Sequence, residues 1–234
     1  MKKTIRQTIL NLLDDAEFSN SAVDYQAVLE YLSGIEENHT DDSEFHYFKG
    51  YTALSFPDGE NFYRKLALKS FEKALMLNPD NKNAFFHLMD CYYELGHYHL
   101  AAEGYAKVLK MLSEQENQKV SLSVFERILC CYLHLNWHAK FIDNYDVWIR
   151  AYRSTQDLES MTLPRDLILT LSNYLKNKGD RINPDLGKQF KNVTIDLLSI
   201  LNYFPLSKRN YKDQIEALKN WDGQHSGPYI FELV

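Results

Sequence analysis

Glycine and proline are both scarce in this chain, 9 and 6 residues among 234. Strand-and-turn signals are correspondingly few, which removes architectures made of many short strands and favours long helices. Cysteine is scarcer still. Cys91, Cys130 and Cys131 make three, an odd number that cannot complete a disulfide framework. They read as small buried hydrophobes in a reducing compartment. Positive charge is in deficit, with 26 Lys and Arg against 32 Asp and Glu, a net charge of -6 and a pI near 5.8. No basic stripe can neutralise a phosphate backbone, so nucleic acid is not expected as a partner. Long apolar runs are missing as well. Met1-Lys2-Lys3-Thr4 begins like a signal sequence, but Arg6, Gln7, Asn11, Asp14 and Asp15 interrupt the apolar stretch behind it, and no span of ~20 apolar residues occurs. The expectation is a cytoplasmic protein without a leader or membrane segment. Phosphate-cradling Gly-rich loops and nucleophile elbows are also absent, so neither an enzyme nor a cofactor is expected.

The chain is rich instead in apolar and aromatic material: 45% hydrophobic residues and 14% aromatic, including 16 Tyr and 13 Phe. It also repeats itself. A shift of 34 positions lays the segment from Ala67 to Ala74 on that from Ala101 to Val108, matching small, aromatic and small residues in order. A shift of 40 lays Phe85, Leu88, Cys91, Tyr92, Leu95 and Tyr105 on Phe125, Ile128, Cys131, Tyr132, Leu135 and Tyr145. The six extra residues fall in the polar stretch Ser113 to Lys119, where a connecting loop tolerates insertion.

The best unit carries Phe85, Leu88, Tyr92, Leu95, Gly96 and Tyr98 on one side of a turn and Ala101, Tyr105 and Val108 on the other. The unit before it ends in Ala67, Phe71, Ala74 and then Asn78-Pro79-Asp80. These residues resemble the tetratricopeptide repeat, whose first helix carries a bulky residue, Leu, a small residue and Tyr, and whose second carries Ala, an aromatic and Ala before a Pro. There are departures. Met89 and Leu129 stand where a small residue is usual, Phe141 replaces an Ala, and Ser113 replaces the Pro. Gly50 suits the small position of an earlier unit, yet lies five residues further from Ala67 than the pattern expects, with Phe56-Pro57-Asp58-Gly59 between.

The resemblance implies an all-α fold: a right-handed superhelical solenoid of antiparallel helix pairs with a C-terminal capping helix. Residues 1–234 are expected to form a single helical-repeat domain. Residues 1–42 supply an N-terminal helix pair (Ile5 to Phe18, Ala22 to Leu32), and 43–153 three repeat-like units. Residues 154–234 supply a degenerate pair and the cap. Periodicity places that pair around Ile168, Leu171 and Leu175 before Gly179 and from Pro184 to Phe204, and the cap on Tyr211, Ile215, Leu218 and Trp221. The exposed aromatic segment from Trp221 to Val234 would cap the chain or meet another copy.

Such a stack leaves a concave groove lined by the first helices, suited to a peptide or helix of a partner protein. In the family register the outward positions are Tyr47 and Tyr51, then Asn83, Phe86, Asp90 and Tyr93, then Glu126, Cys130, Leu133 and His134, with Arg127 beside them. Aromatic anchors with acids and few cations suit a segment with apolar and basic side chains. The same rings would serve equally to pack an insertion or the C-terminal helices. A carboxylate clamp of the kind some family members use is not expected. Tyr47 and Tyr51, His87, and Ser123 occupy its positions, and only Arg127 matches.

Three functions are compatible with this reading. The first is a scaffold or adaptor, and the second an antitoxin- or immunity-type inhibitor that occludes a basic enzyme through an acidic face. The third, a metal-dependent protein built on His87 and Cys91 four residues apart with His97 and His99 behind, lacks a second ligand pair of matching spacing. Adjacent Cys130 and Cys131 point to different sides of a helix and lack redox-pair spacing. The acidic tract Glu36 to Asp42 lacks the glycine and terminal Glu of a calcium loop and reads as a solvated segment before a helix.

Overall fold

A computed structural model of the chain describes residues 1–57, 59–113, 118–154, 163–178, 182–201 and 211–220. It is all-helical: eleven α-helices and no strand occur among the described residues. None of these helices is long and apolar enough to cross a membrane. The chain divides into two compact units, Met1–Gly104 and Tyr105–Val234.

The first unit holds α1 (Lys3–Ser19), α2 (Ala22–Ile35), α3 (Ser43–Leu54), α4 (Asn61–Leu77), α5 (Lys82–Glu94) and the start of α6 (Tyr98–Ser113). Helix starts obey local chemistry. Ser21 accepts from Val23 N at the start of α2 (3.2 Å). Asp42 accepts from Glu44 N and Phe45 N (3.0 and 3.3 Å) at the start of α3, and Asn81 accepts from Ala84 N (3.0 Å) at the start of α5. Each satisfies backbone donors that the first turn cannot use itself. The acidic tract makes a 3₁₀ turn, Glu36–Asn38, and then delivers Asp42 as that cap.

Each of α1 to α4 packs on the next helix in the chain, and between α3 and α4 the seam sets an aromatic against a small residue. A Cβ on Gly50 would lie 2.8 Å from the ring of Phe71, so α3 approaches α4 as closely as it does only because position 50 has no side chain. Met89 is accommodated by the reverse arrangement, because a Cβ on Gly104 of α6 would lie 1.6 Å from its Sδ. The bulky residue at the expected small position is thus matched by a missing side chain opposite.

The second unit continues α6 and adds α7 (Gln118–His134), α8 (His138–Ser154), α9 (Arg165–Lys178), α10 (Pro184–Leu201) and α11 (Lys212–Asn220). Phe141, Tyr145, Trp148 and Tyr152 recur at i, i+4, i+7 and i+11 along α8, and all four are buried. Trp148 Nε1 donates to Leu122 O (3.2 Å), which lets a polar indole sit in that core. Helix α11 packs on α10 and buries Leu218. Asp58, Gly179, Phe204 and the segment from Trp221 to Val234, together with most of the expected insertion before α7, lie outside the described residues.

The shift of 40 found in the sequence reappears in hydrogen bonds. At the end of α5, Gly96 takes φ +78, its N donates to Tyr93 O (3.0 Å) and His97 N donates to Tyr92 O (2.8 Å). At the end of α7, Asn136 takes φ +57, its N donates to Leu133 O (3.1 Å) and Trp137 N donates to Tyr132 O (2.9 Å). Both are left-handed helix caps, made by Gly in one case and by Asn, the next most permissive residue, in the other. The ring of Tyr92 lies 6.2 Å from His97, and that of Tyr132 lies 5.9 Å from Trp137.

Candidate functional site

Helices α3 and α5 of the first unit bring part of the expected surface together. Tyr47 and Tyr51, one turn apart on α3, stack at 6.1 Å. The imidazole of His87 on α5 lies 5.3 Å from the Tyr51 ring, 6.1 Å from Tyr47 and 5.1 Å from Phe86. Beneath it, Phe71 of α4 lies 5.8 Å away, nearly parallel. Tyr47, Tyr51, Phe86, Asp90 and Tyr93 are all half-buried, and Asn83 is exposed. Tyr93 turns its ring onto Tyr98, edge to face at 5.5 Å.

Two carboxylates belong to this cluster. Asp90 Oδ2 lies 3.2 Å from His87 Nδ1. Glu17 of α1 accepts a hydrogen bond from the Tyr51 hydroxyl (2.7 Å). Burial first, and the Glu17 carboxylate second, push both the Tyr51 and the Tyr47 phenols above their ordinary range, so both stay protonated donors. His87 is the hub of the cluster, although in the sequence it reads only as a clamp position or a metal ligand. Glu17 is not visible to local spacing at all, since it lies 34 residues before Tyr51.

The α7 positions depart from the expectation. Leu133 is 1% exposed and so is not offered to a partner, while Cys130 is fully buried, in keeping with its reading as a small hydrophobe and against its outward register position. The cause is α9, which packs along α7. Leu167 N, in the first turn of α9, donates to Glu126 Oε1 (3.0 Å), and Arg127 Nη2 lies 3.2 Å from Asp166 Oδ2. Glu126, Cys130 and Leu133 recur at i, i+4 and i+7, a single stripe, and the chain uses that stripe for its own packing. Burial raises the Glu126 carboxyl to about 7, against the opposing pull of the Leu167 N–H. His134 remains exposed on the last turn.

All three cysteines are buried and free. Burial pushes the Cys91 and Cys131 thiols up to about 12 and raises Cys130 as well. Among the described residues no group of three or more His, Cys, Asp or Glu side chains converges as a metal site. The α3–α5 cluster presents ring faces, phenols and carboxylates on one helical surface.

No protein-family model and no curated protein matches the chain.

Proposed function

We propose that the chain is a protein-binding scaffold of the tetratricopeptide-repeat type, a solenoid of helix pairs that receives a peptide or helix of another protein on the α3–α5 face. The observation that carries this reading is the half-buried ring cluster of Tyr47, Tyr51, Phe86 and His87, flanked by Glu17 and Asp90. Aromatic rings fixed by packing bind with little loss of rotamer entropy, which is why they dominate binding energy where they occur. The partner surface is correspondingly apolar with a basic component. Three buried, free thiols accord with a reducing, cytoplasmic setting.

Co-purification from the native host tests this reading. Substituting Tyr51, Phe86 and Tyr93 by Ala, one at a time, is expected to cost at least about tenfold in affinity at one of them or more, with thermal melting within a few degrees of wild type. Retention of the partner by all three variants sinks the proposal. A single stoichiometric basic enzyme in the eluate, inactivated by the chain, makes the scaffold an inhibitor.

A further inference from the structure

The lengthened connection between α3 and α4 has no part in the α3–α5 face, yet it is well built. Phe56 tucks inward to 5% exposure and stacks on Tyr63 of α4 with ring centroids 3.7 Å apart and planes 11° from parallel. Arg64 Nη1 donates to Leu54 O (2.6 Å), closing the end of α3 beneath the turn. The stacked pair forms one wall of a cleft of about 440 Å³, whose opposite wall is the outer face of α2. That face consists of Ala22, Val23, Gln26, Ala27 and Glu30, pointing away from the core residues Tyr25, Val28, Leu29 and Leu32. The size lies within the range of clefts that take ligands or side-chain anchors.

Apolar surface is exposed at this cleft and beside it. Val23 on its wall is 76% exposed, and Phe62, set edge-on against Tyr63 at 5.3 Å, is 66% exposed. Phe18, at the end of α1 that Ser19 ties to Asp24 of α2 (2.6 Å), is 96% exposed. Val23 on the cleft wall and Phe62 beside Tyr63 are apolar exposure of the kind that marks an interaction surface. The polar component of the cleft is of one sign. Glu30 and Glu60 line it, and among the described residues no Lys, Arg or His does. Glu60 occupies the N-cap of α4 without its carboxylate capping the helix. The nearby cation, Arg64, is committed to Leu54 O and lies 3.9 Å from Glu94.

We infer that the α2–α4 cleft is a second docking site, separate from the α3–α5 face. Its occupant is an amphipathic helix of a partner protein, with an apolar side chain inserted between Val23 and the Phe56–Tyr63 stack and Lys or Arg against Glu30 and Glu60. Ala22 and Ala27 let a helix backbone come close, the rings supply the anchor pocket, and the two carboxylates, Glu30 held by Gln26 Nε2 (3.0 Å), set the sign of the flank.

The test is selection of a displayed library of randomised helical peptides on the full chain, followed by calorimetry of the best binder. Enriched peptides are expected to carry apolar residues one turn apart with Lys or Arg beside them. Val23→Glu, at a position exposed enough to leave melting unchanged, is expected to weaken binding at least about tenfold. Glu30→Gln with Glu60→Gln is expected to weaken it several-fold and flatten its salt dependence. Tyr51→Ala is expected to leave it unchanged, which separates this cleft from the α3–α5 face. Any of four results overturns the inference: no binder, binders indifferent to Val23→Glu, binders with acidic flanks, or Val23-dependent self-association that makes a second copy the occupant.

Discussion

Single residues decide how closely the helices approach. Gly50 against Phe71 and Gly104 against Met89 are two solutions to one steric problem. An α-helical glycine costs about 1 kcal/mol relative to alanine, so each position gives up helix propensity for close contact. The balance is measurable. Gly104→Ala should lose roughly 1 to 3 kcal/mol by overpacking despite the better propensity, because its Cβ would fall 1.6 Å from Met89 Sδ. In a Met89→Ala background the same change should be near neutral or stabilising, and denaturant titration of the four proteins reads the coupling directly. Equal costs in both backgrounds would show that the contact does not limit packing. The alternation of small and bulky positions is readable from the chain. The identity of each opposite member is not, since Met89 taken alone reads as a departure from the repeat.

Among the elements, α7 shows how far periodicity reaches. Its 3.6-residue pattern correctly places Ile128, Leu129 and Cys131 in the core. The stripe of Glu126, Cys130 and Leu133 shares the same helix, and no feature of α7 itself says that α9 will cover it. That coverage has a cost that pH exposes. The Glu126 carboxyl titrates at about 7 when folded and near its ordinary value of 4.5 when unfolded, so folding takes up a proton between those values. Stability is therefore fullest below about pH 4.5 and falls as pH rises through 7, by up to about 3 kcal/mol for this group. Glu126→Gln should remove that component, leaving a flatter melting-temperature profile between pH 5 and 8 (about 3 units wide). A wild-type slope unchanged by the substitution would mean that water reaches the carboxylate. The left-handed caps at Gly96 and Asn136 lie at the other extreme, because short-range sterics determine them and the sequence announces them.

At the scale of the molecule, the three thiols report on packing in both compact units, Cys91 in the first and Cys130 and Cys131 in the second. With the chain folded, an aromatic disulfide reagent at pH 8 should find no fast-reacting cysteine, because each thiol is buried and held in its protonated form. Denaturant should release all three. Rapid modification of the folded protein would show that one unit opens locally at equilibrium, and peptide mapping would say which.

By itself, the sequence determined the all-helical class, the starts of α2 and α10, the aromatic and small residues of the core and the internal repeat. These arise from local rules: scarce turn formers, capping side chains and a 3.6-residue apolar period act over a few neighbouring residues and leave their pattern in the chain. Only the tertiary structure decided the rest. Glu17 reaches the Tyr51 hydroxyl, α9 takes the α7 stripe, Gly104 yields to Met89, and the long turn lifts Phe56 onto Tyr63 to open a cleft against α2. Periodicity says which face of a helix leaves water; which surface meets it depends on distant segments whose approach is set by the volume of side chains on both sides.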